Sequence, residues 1–167
     1  MLKNKQLVEL FQKKDLNFIT GVPCSIFKYF LAYINENNKM DHVSATSEGE
    51  ACAIATGYYL STNRIPIVYM QNSGLGNSIN PLTSLLNKEV YNIPALLLIS
   101  WRGEPGKKDE PEHTKMGCIT LKLLKILNIP YAILPSNKIG SAKIIKEAEQ
   151  YLKKINRLML LLLKRKL

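Results

Sequence analysis

Hydrophobic residues along this chain follow two different spacings, and the two alternate from one end to the other. Leu7, Leu10 and Phe11 recur at the intervals of a helix, whereas 65–70 is apolar throughout, as in a strand buried on both faces. The pattern predicts helices over 2–16, 25–37, 48–60, 78–87, 119–127 and 141–155, and strands over 17–20, 42–46, 65–70, 94–100, 130–134 and 158–163.

Apolar strands that alternate with amphipathic helices indicate a parallel sheet covered on both faces. We therefore expect one domain over 1–167 with an α/β, doubly wound, mainly parallel six-stranded sheet and helices on both faces. Ligands in such folds bind beyond the carboxyl ends of the strands. The loops that deserve scrutiny are therefore 21–25, 47–50, 71–77 and 101–117.

The formal net charge of +10 raises the question of nucleic-acid binding. The lysines are dispersed over several predicted helices, and the basic cluster 164–166 is typical of a solvated tail. A clustered footprint for a phosphate backbone is missing, so we expect no nucleic-acid partner.

The cysteines and the longest apolar run limit the remaining classes. Cys24, Cys52 and Cys118 are odd in number and widely spaced, which favours packed thiols in a reducing cytoplasm over a disulfide framework or a metal site. The run 158–163 is about a third of the length that spans a bilayer, so we expect no membrane association.

The first two loops each have a structural and a functional interpretation. In Gly-Val-Pro-Cys-Ser (21–25), Ser25 could simply cap the next helix. Ser47 could likewise cap a helix whose first turn holds Glu48 and Glu50. That helix is unusually small-sided, however, and a carboxylate opening it could lie in an apolar seam, where desolvation raises its pKa. The small residues are Ala51, Ala53, Ala55 and Gly57.

The other two loops carry glycine and charge. Gly74 and Gly76 permit positive φ and close approach of a flat ligand, although 71–77 is neither a dinucleotide fingerprint nor a Walker loop. The segment 101–113 is long and charged. In it Arg102 could clamp an oxyanion, and His113 could act as an acid or base or be merely solvated.

Together these segments resemble the pyrimidine-binding domain of thiamine-diphosphate-dependent enzymes, from about Phe18 onward. The most specific stretches are GVPCS, the spacing E-x-x-A-x-x-x-A-x-G-Y from Glu48 to Tyr58, YMQNSGLGNSINPLTSL (69–85) and WRGEPGKKDEPEH (101–113). The last two are similar to the branch of phosphonopyruvate and sulfopyruvate decarboxylases.

The resemblance implies the thiamine-diphosphate-binding fold and a role for each matching residue. Glu48, not Glu50, would exchange a proton with N1′ of the cofactor's aminopyrimidine, and a second acid at 50 departs from the family pattern. The implied cofactor-binding residues are Pro23, Glu48, Gly74, Gly76 and Asn77, and the implied substrate-binding residues are Ser25, Arg102 and His113.

The family also holds Mg²⁺ and the diphosphate through a Gly-Asp-Gly segment that does not occur in this sequence. The resemblance therefore implies a diphosphate-binding domain or subunit as partner, in a homo- or hetero-oligomer, with the Mg²⁺ ligands supplied by that partner. The implied reaction is decarboxylation of 3-phosphonopyruvate, a small anionic 2-oxo acid, to phosphonoacetaldehyde in phosphonate biosynthesis. The alternatives are a sulfopyruvate decarboxylase alpha subunit and a non-catalytic remnant that binds a cofactor or partner.

Overall fold

The structure is a computed structural model that describes residues 2–164, so most of the basic cluster 164–166 lies outside the described residues. Its strands and helices alternate as the hydrophobic pattern predicts. In chain order the elements are α1 (Asn4–Gln12), β1 (Phe18–Gly21), α2 (Lys28–Asn37), β2 (Asp41–Ser44), α3 (Glu48–Thr62), β3 (Ile67–Gln71), α4 (Gly74–Asn77), α5 (Ile79–Thr83), β4 (Leu96–Ser100), α6 (Pro111–Ile126), β5 (Tyr131–Ile133), α7 (Lys138–Ile155) and β6 (Met159–Leu163).

The strands form one six-stranded sheet in the order β2-β1-β3-β4-β6-β5. Every neighbouring pair runs parallel. The prediction of a doubly wound, parallel six-stranded sheet is confirmed.

Two buried layers lie on opposite faces of the sheet, because successive strand residues point in opposite directions. On one face Tyr69 packs edge-on against Phe27 of the segment leading into α2, with ring centroids 5.5 Å apart. On the other face Met70 belongs to a cluster with Ala51 of α3 and Leu75 of α4. Helices therefore cover both faces, and every residue of β1 and β4 is buried.

The strand order reverses between β1 and β3. The chain passes through α2 from β1 outward to the edge strand β2, and α3 then leads back across β1 to β3. Loops that leave the carboxyl ends of such strands diverge and open a crevice. The two strands lie very close here, because a Cβ atom on Gly21 would be 1.9 Å from the carbonyl oxygen of Tyr69.

Several predicted helix boundaries were wrong. Helix α1 ends at Gln12 rather than at 16 and α7 begins at Lys138 rather than at 141, and three further differences affect the loops. Helix α6 begins at Pro111 rather than at 119, because proline suits the first helical position and Glu112 lies near the positive end of the helix dipole. Helix α2 begins at Lys28, so Ser25 lies in the preceding turn and does not cap it. The helix predicted over 78–87 is the short α5, preceded by α4.

Among the helices of residues 2–164, none is long and apolar enough to cross a membrane.

Candidate functional site

The first turn of α3 gives its two glutamates different surroundings. The Ser47 hydroxyl accepts a hydrogen bond from the backbone N–H of Glu50 at 3.2 Å, which confirms the predicted cap. Oε2 of Glu50 turns back and accepts from the backbone N–H of Thr46 at 2.6 Å and from its hydroxyl at 2.5 Å. The hydroxyl and amide of Thr46 lower the pKa of Glu50. Glu50 therefore serves the start of the helix.

Glu48 points instead at the loop after β3. Its Oε2 accepts a hydrogen bond from Nδ2 of Asn77 at 2.9 Å. A Cβ atom on Gly74 would lie 2.5 Å from Cγ and 2.6 Å from Oε1 of Glu48, so the glycine leaves the space that the carboxylate occupies. Glu48 is half-buried, and no hydrogen bond from residues 2–164 reaches its Oε1.

The glycines of this loop act through size and not through an unusual conformation. Gly74 and Gly76 lie in α4, and neither has a positive φ, so that part of the prediction was wrong. The space beside Gly74 is occupied by the Glu48 side chain, and the predicted close approach of a flat ligand stays a prediction. A Cβ atom on Gly76 would meet nothing within 4 Å, so its surface is open.

Asn72 ties the loops after β3 and β4 together. Its buried Nδ2 donates to the carbonyl oxygen of Arg102 and to the hydroxyl of Thr120, both at 2.9 Å, and its Oδ1 accepts from the backbone N–H of Arg102 at 3.0 Å. Sequence reasoning missed this residue. Its signal was an amide directly after a buried strand, where unpaired backbone groups need partners.

Arg102 is held by Asp109, a second residue that sequence reasoning missed. Nε of Arg102 donates to Oδ1 and Oδ2 of Asp109 at 3.0 and 2.8 Å, and Nη2 also donates to Oδ1. Asp109 further accepts from the backbone N–H groups of Gly103 at 2.7 Å and Glu110 at 2.9 Å. The guanidinium holds the pKa of Asp109 well below its usual range, and that carboxylate raises the pKa of Arg102.

The pairing with Asp109 leaves Nη1 of Arg102 for another partner. Nη1 donates to the hydroxyl of Ser25 at 3.4 Å, a long contact that brings the loops after β1 and β4 together. A cleft of about 290 Å³ opens beside this contact, with Trp101 as one wall. Ser25 and Arg102 are thus neighbours, as residues that share a ligand would be.

The other sequence-predicted residues lie outside these two groups. His113 lies in the first turn of α6, with Nδ1 3.5 Å from Nε2 of Gln71, and not in a loop as predicted. Pro23 is exposed in the turn after β1. The structure therefore gathers Glu48, Gly74 and Asn77 in one group.

The cysteines differ in their burial. Cys52 is buried, and desolvation raises its pKa to about 12. Cys24 is half-buried, with its sulfur 3.6 Å from the hydroxyl of Ser100. Cys118 is exposed on α6, so the prediction of a packed thiol was wrong there.

Within residues 2–164, no group of three or more His, Cys, Asp or Glu side chains could hold a metal ion.

Two solved structures share the fold of this chain. Benzoylformate decarboxylase from Polynucleobacter necessarius aligns over 96% of this chain and 29% of its own, with a TM-score of 0.75 and 18% identity. The 4-hydroxybenzoylformate decarboxylase of Rhodococcus jostii RHA1 aligns over 96% and 29%, with a TM-score of 0.71 and 20% identity. At such low identity these likenesses establish the thiamine-diphosphate-binding fold alone.

The sequence establishes the family. Residues 3–120 match the family described as "Thiamine pyrophosphate enzyme, N-terminal TPP binding domain", and the chain belongs to this family of thiamine-diphosphate-binding domains. The resemblance drawn from the four loop segments is confirmed.

Two curated relatives have similar identity but very different lengths. Phosphonopyruvate decarboxylase of Streptomyces viridochromogenes is 41% identical over 117 residues, which is 70% of this chain and 29% of the relative. Sulfopyruvate decarboxylase subunit alpha of Methanococcus maripaludis is 40% identical over 135 residues, which is 81% of this chain and 78% of the relative. The chain thus spans less than a third of the first relative and most of the second.

Proposed function

We propose that this chain is the pyrimidine-binding half of a thiamine-diphosphate-dependent carboxy-lyase that converts 3-phosphonopyruvate to phosphonoacetaldehyde and CO₂ in phosphonate biosynthesis. The carrying observation is Glu48, whose Oε2 is fixed by Asn77 while Oε1 has no hydrogen bond within residues 2–164. Thiamine diphosphate supplies stabilisation of the carbanion left by decarboxylation, and the protein supplies orientation and electrostatics.

The residues around Glu48 fit the aminopyrimidine of this cofactor. A flat heteroaromatic ring with a basic nitrogen needs one carboxyl oxygen that can give and take a proton, and Oε1 of Glu48 is available for that task. Asn77 holds the carboxylate in one orientation, and the absent side chain at Gly74 gives it room. The open surface at Gly76 and the exposed turn at Pro23 would border the ring.

The substrate would lie on the other side of the crevice. Nη1 of Arg102 and the hydroxyl of Ser25 offer hydrogen-bond donors to an anionic 2-oxo acid. His113, near Gln71 at the end of β3, would supply a further polar contact to the reacting end.

The proposed enzyme needs a diphosphate-binding domain or subunit, which would also supply the Mg²⁺ ligands. Helix α3 offers a surface for such an oligomer, because Ala53, Gly57 and Leu60 are exposed along the helix that Glu48 opens, and their small or apolar side chains permit close approach. The unpaired cysteines support a reducing, cytoplasmic setting.

A sulfopyruvate decarboxylase alpha subunit is the second candidate, and the 78% coverage of the Methanococcus relative favours it. The substrates of the two candidate enzymes differ only in their second acidic group, which is a phosphonate in one and a sulfonate in the other. The chain should be mixed with a diphosphate-binding partner, thiamine diphosphate and Mg²⁺, and assayed on both acids. Phosphonoacetaldehyde as the dominant product supports our choice, and sulfoacetaldehyde as the dominant product overturns it.

The proton-transfer role is tested by Glu48→Gln in the same assembly. We expect activity to fall about 10²–10⁴-fold, because an amide cannot exchange the proton. The matched control is Glu50→Gln, which sits two positions along the same helix turn and keeps an acceptor for Thr46. This variant should retain activity and lose little stability. A non-catalytic remnant predicts no activity to lose, and equal activity of Glu48→Gln and wild type would refute the proposed role.

A further inference from the structure

We propose that the cleft beside Ser25 binds the second acidic group of the substrate, and that Lys107 and Lys108 supply the charge that recognises it. This inference rests on the proposed function and adds a binding site for a tetrahedral oxyanion to it. The cleft of about 290 Å³ lies at the carboxyl ends of three strands. Ser25 follows β1, Lys107 and Lys108 follow β4, and Lys164 directly follows β6.

The charges around the cleft do not balance. Asp109 pairs with Arg102, and Glu104 pairs with Lys164 at 2.5 Å. Lys107 and Lys108 also line the cleft, and across the described part of the chain neither forms an ion pair. Two adjacent positive charges at one cleft repel each other, and an entering anion relieves that repulsion.

A braced turn presents the two lysines. The backbone N–H of Lys107 donates to the carbonyl oxygen of Glu104 at 3.0 Å and closes the turn. Gly106 adopts a φ of +78°, which favours glycine. Glu104 is itself anchored by Lys164, whose Nζ lies 5.3 Å from the centroid of the Trp101 ring. The lysines therefore extend from a fixed backbone.

The chemistry of the cleft suits a dianionic oxyanion. Lysine is a compact point charge with donors that rotate, which matches a tetrahedral group without demanding the planar geometry of a carboxylate. The Ser25 oxygen accepts from Arg102, so its O–H remains free to donate to an oxyanion. Two uncompensated charges match a phosphonate dianion better than a sulfonate monoanion. The 2-oxo-acid end is then left to face the cofactor.

The test compares two pairs of adjacent lysines. The variant Lys107→Gln/Lys108→Gln is matched by Lys153→Gln/Lys154→Gln, which removes the same charge from the last turn of α7, before β6 begins. In the assembly with the partner, kcat/KM for 3-phosphonopyruvate should fall about tenfold or more in the first variant only. The kcat/KM for pyruvate, which lacks the second acid, should not change. A parallel loss on pyruvate, or equal losses in both variants, overturns the proposal.

A binding measurement separates this site from the decarboxylase proposal. Trp101 is the single tryptophan of the chain and forms a wall of the cleft, so its fluorescence reports an anion that enters. Titration of the chain with methylphosphonate at pH 8 should give a saturable change that Lys107→Gln/Lys108→Gln weakens and the control leaves intact. Methanesulfonate should bind more weakly. No saturable change in wild type overturns the site, whereas lysine-dependent binding without turnover of either acid upholds the site and rejects the decarboxylase proposal.

Discussion

The loop after β3 and the loop after β4 leave the same edge of the sheet but are built in opposite ways. The loop after β3 is neutral, and its Gly74 makes room for a carboxylate that keeps one oxygen without a hydrogen bond. The loop after β4 is charged. Its Asp109 accepts hydrogen bonds from the Arg102 side chain and from the backbone N–H groups of Gly103 and Glu110, and so fixes the position of Arg102. Proton exchange needs an unsatisfied atom with space around it, whereas recognition of an anion needs charges that are already held in place. Each loop meets one of these requirements.

The largest effect that would break this contrast is expected from Gly74→Ala. The Cβ atom of the new alanine would lie 2.5–2.7 Å from the side-chain atoms of Glu48, which is too close, so the carboxylate must move. We expect kcat/KM of the assembled enzyme to fall about 10²-fold, because small misplacements of a reacting group are costly. Stability should stay within about 1 kcal/mol of wild type, since alanine favours a helix over glycine.

Gly76→Ala is the matched comparison, because a methyl group there meets nothing within 4 Å in this chain and leaves the Glu48 carboxylate in place. Since Gly76 would border the cofactor ring, both variants are assayed at saturating thiamine diphosphate, where only Gly74→Ala should lower activity. Equal activities of the two variants would mean that the space at Gly74 does not hold Glu48. Urea unfolding of both variants checks that only activity has changed.

A smaller effect is expected from Asp109→Asn in the charged loop. The variant leaves Arg102 without its carboxylate and should cost about 1–2 kcal/mol of stability at pH 7. Asp15→Asn is a suitable comparison, because Asp15 forms a long, exposed pair with Arg64 at 3.7 Å, and the hydrogen bond that its Oδ1 accepts from Nδ2 of Asn17 at 2.9 Å can be kept by an asparagine oxygen. This variant should cost about a few tenths of a kcal/mol.

The pH dependence of the loss of stability in Asp109→Asn follows from the direction in which the pKa of Asp109 is shifted. The pKa of Asp109 is depressed in the folded chain, so its stabilising contribution is present above the pKa of an unfolded aspartate, about 3.9, and is lost as the pH falls through the lower folded value. Urea midpoints should therefore separate wild type from the variant at pH 5 as clearly as at pH 7, and the two should converge only in strong acid. Convergence already at pH 5 would contradict the Arg102 pair.

The smallest effect is expected from His42, which lies outside both loops. It tests whether the stability lost in mild acid comes from His42 or from the two loops. His42 on β2 is half-buried, with Nδ1 2.8 Å from Oδ1 of Asn35 and Nε2 3.0 Å from the hydroxyl of Tyr69. Burial lowers the pKa of His42 below its usual 6.5. Its contribution is thus complete above the unfolded pKa and is lost as the pH falls toward the folded one.

Wild type should therefore lose a little stability between pH 7 and 5, and His42→Gln should show a flatter profile. His113→Gln, which removes the other histidine of the chain and keeps His42, is measured beside it. An equal slope in wild type and His42→Gln would assign the acid sensitivity elsewhere.

The sheet could be read from the sequence, because buried parallel strands are apolar throughout and their order of alternation with helices leaves few topologies. The cap at Ser47 was also accessible, since it depends on short-range spacing. The start of α6 was missed although Pro111 and Glu112 carry a helix-start signal, because the charged residues around them are equally typical of a loop.

Partners across loops could not be read in this way. Asn72 meets Arg102 and Thr120, which are distant in sequence, and only the fold brings them together. Arg102 and Asp109 lie in one loop, but their pairing depends on a turn whose shape is set by its contacts with α6. That Lys107 and Lys108 line the cleft without an ion pair from residues 2–164 can be recognised only after the partners of the other charged residues are known.

The crossing of the charged loop over α6 has no clearance. A Cβ atom on Gly103 would lie 2.0 Å from the carbonyl oxygen of His113, and one on Gly117 would lie 1.7 Å from the carbonyl oxygen of Gly103. Trp101 seals the same crossing by donating its indole N–H to the carbonyl oxygen of Gly117 at 3.0 Å. The loop and the beginning of α6, residues 101–117, therefore form one structural unit. To transfer the substrate specificity of one relative to another, the loop and the beginning of the helix must be exchanged together.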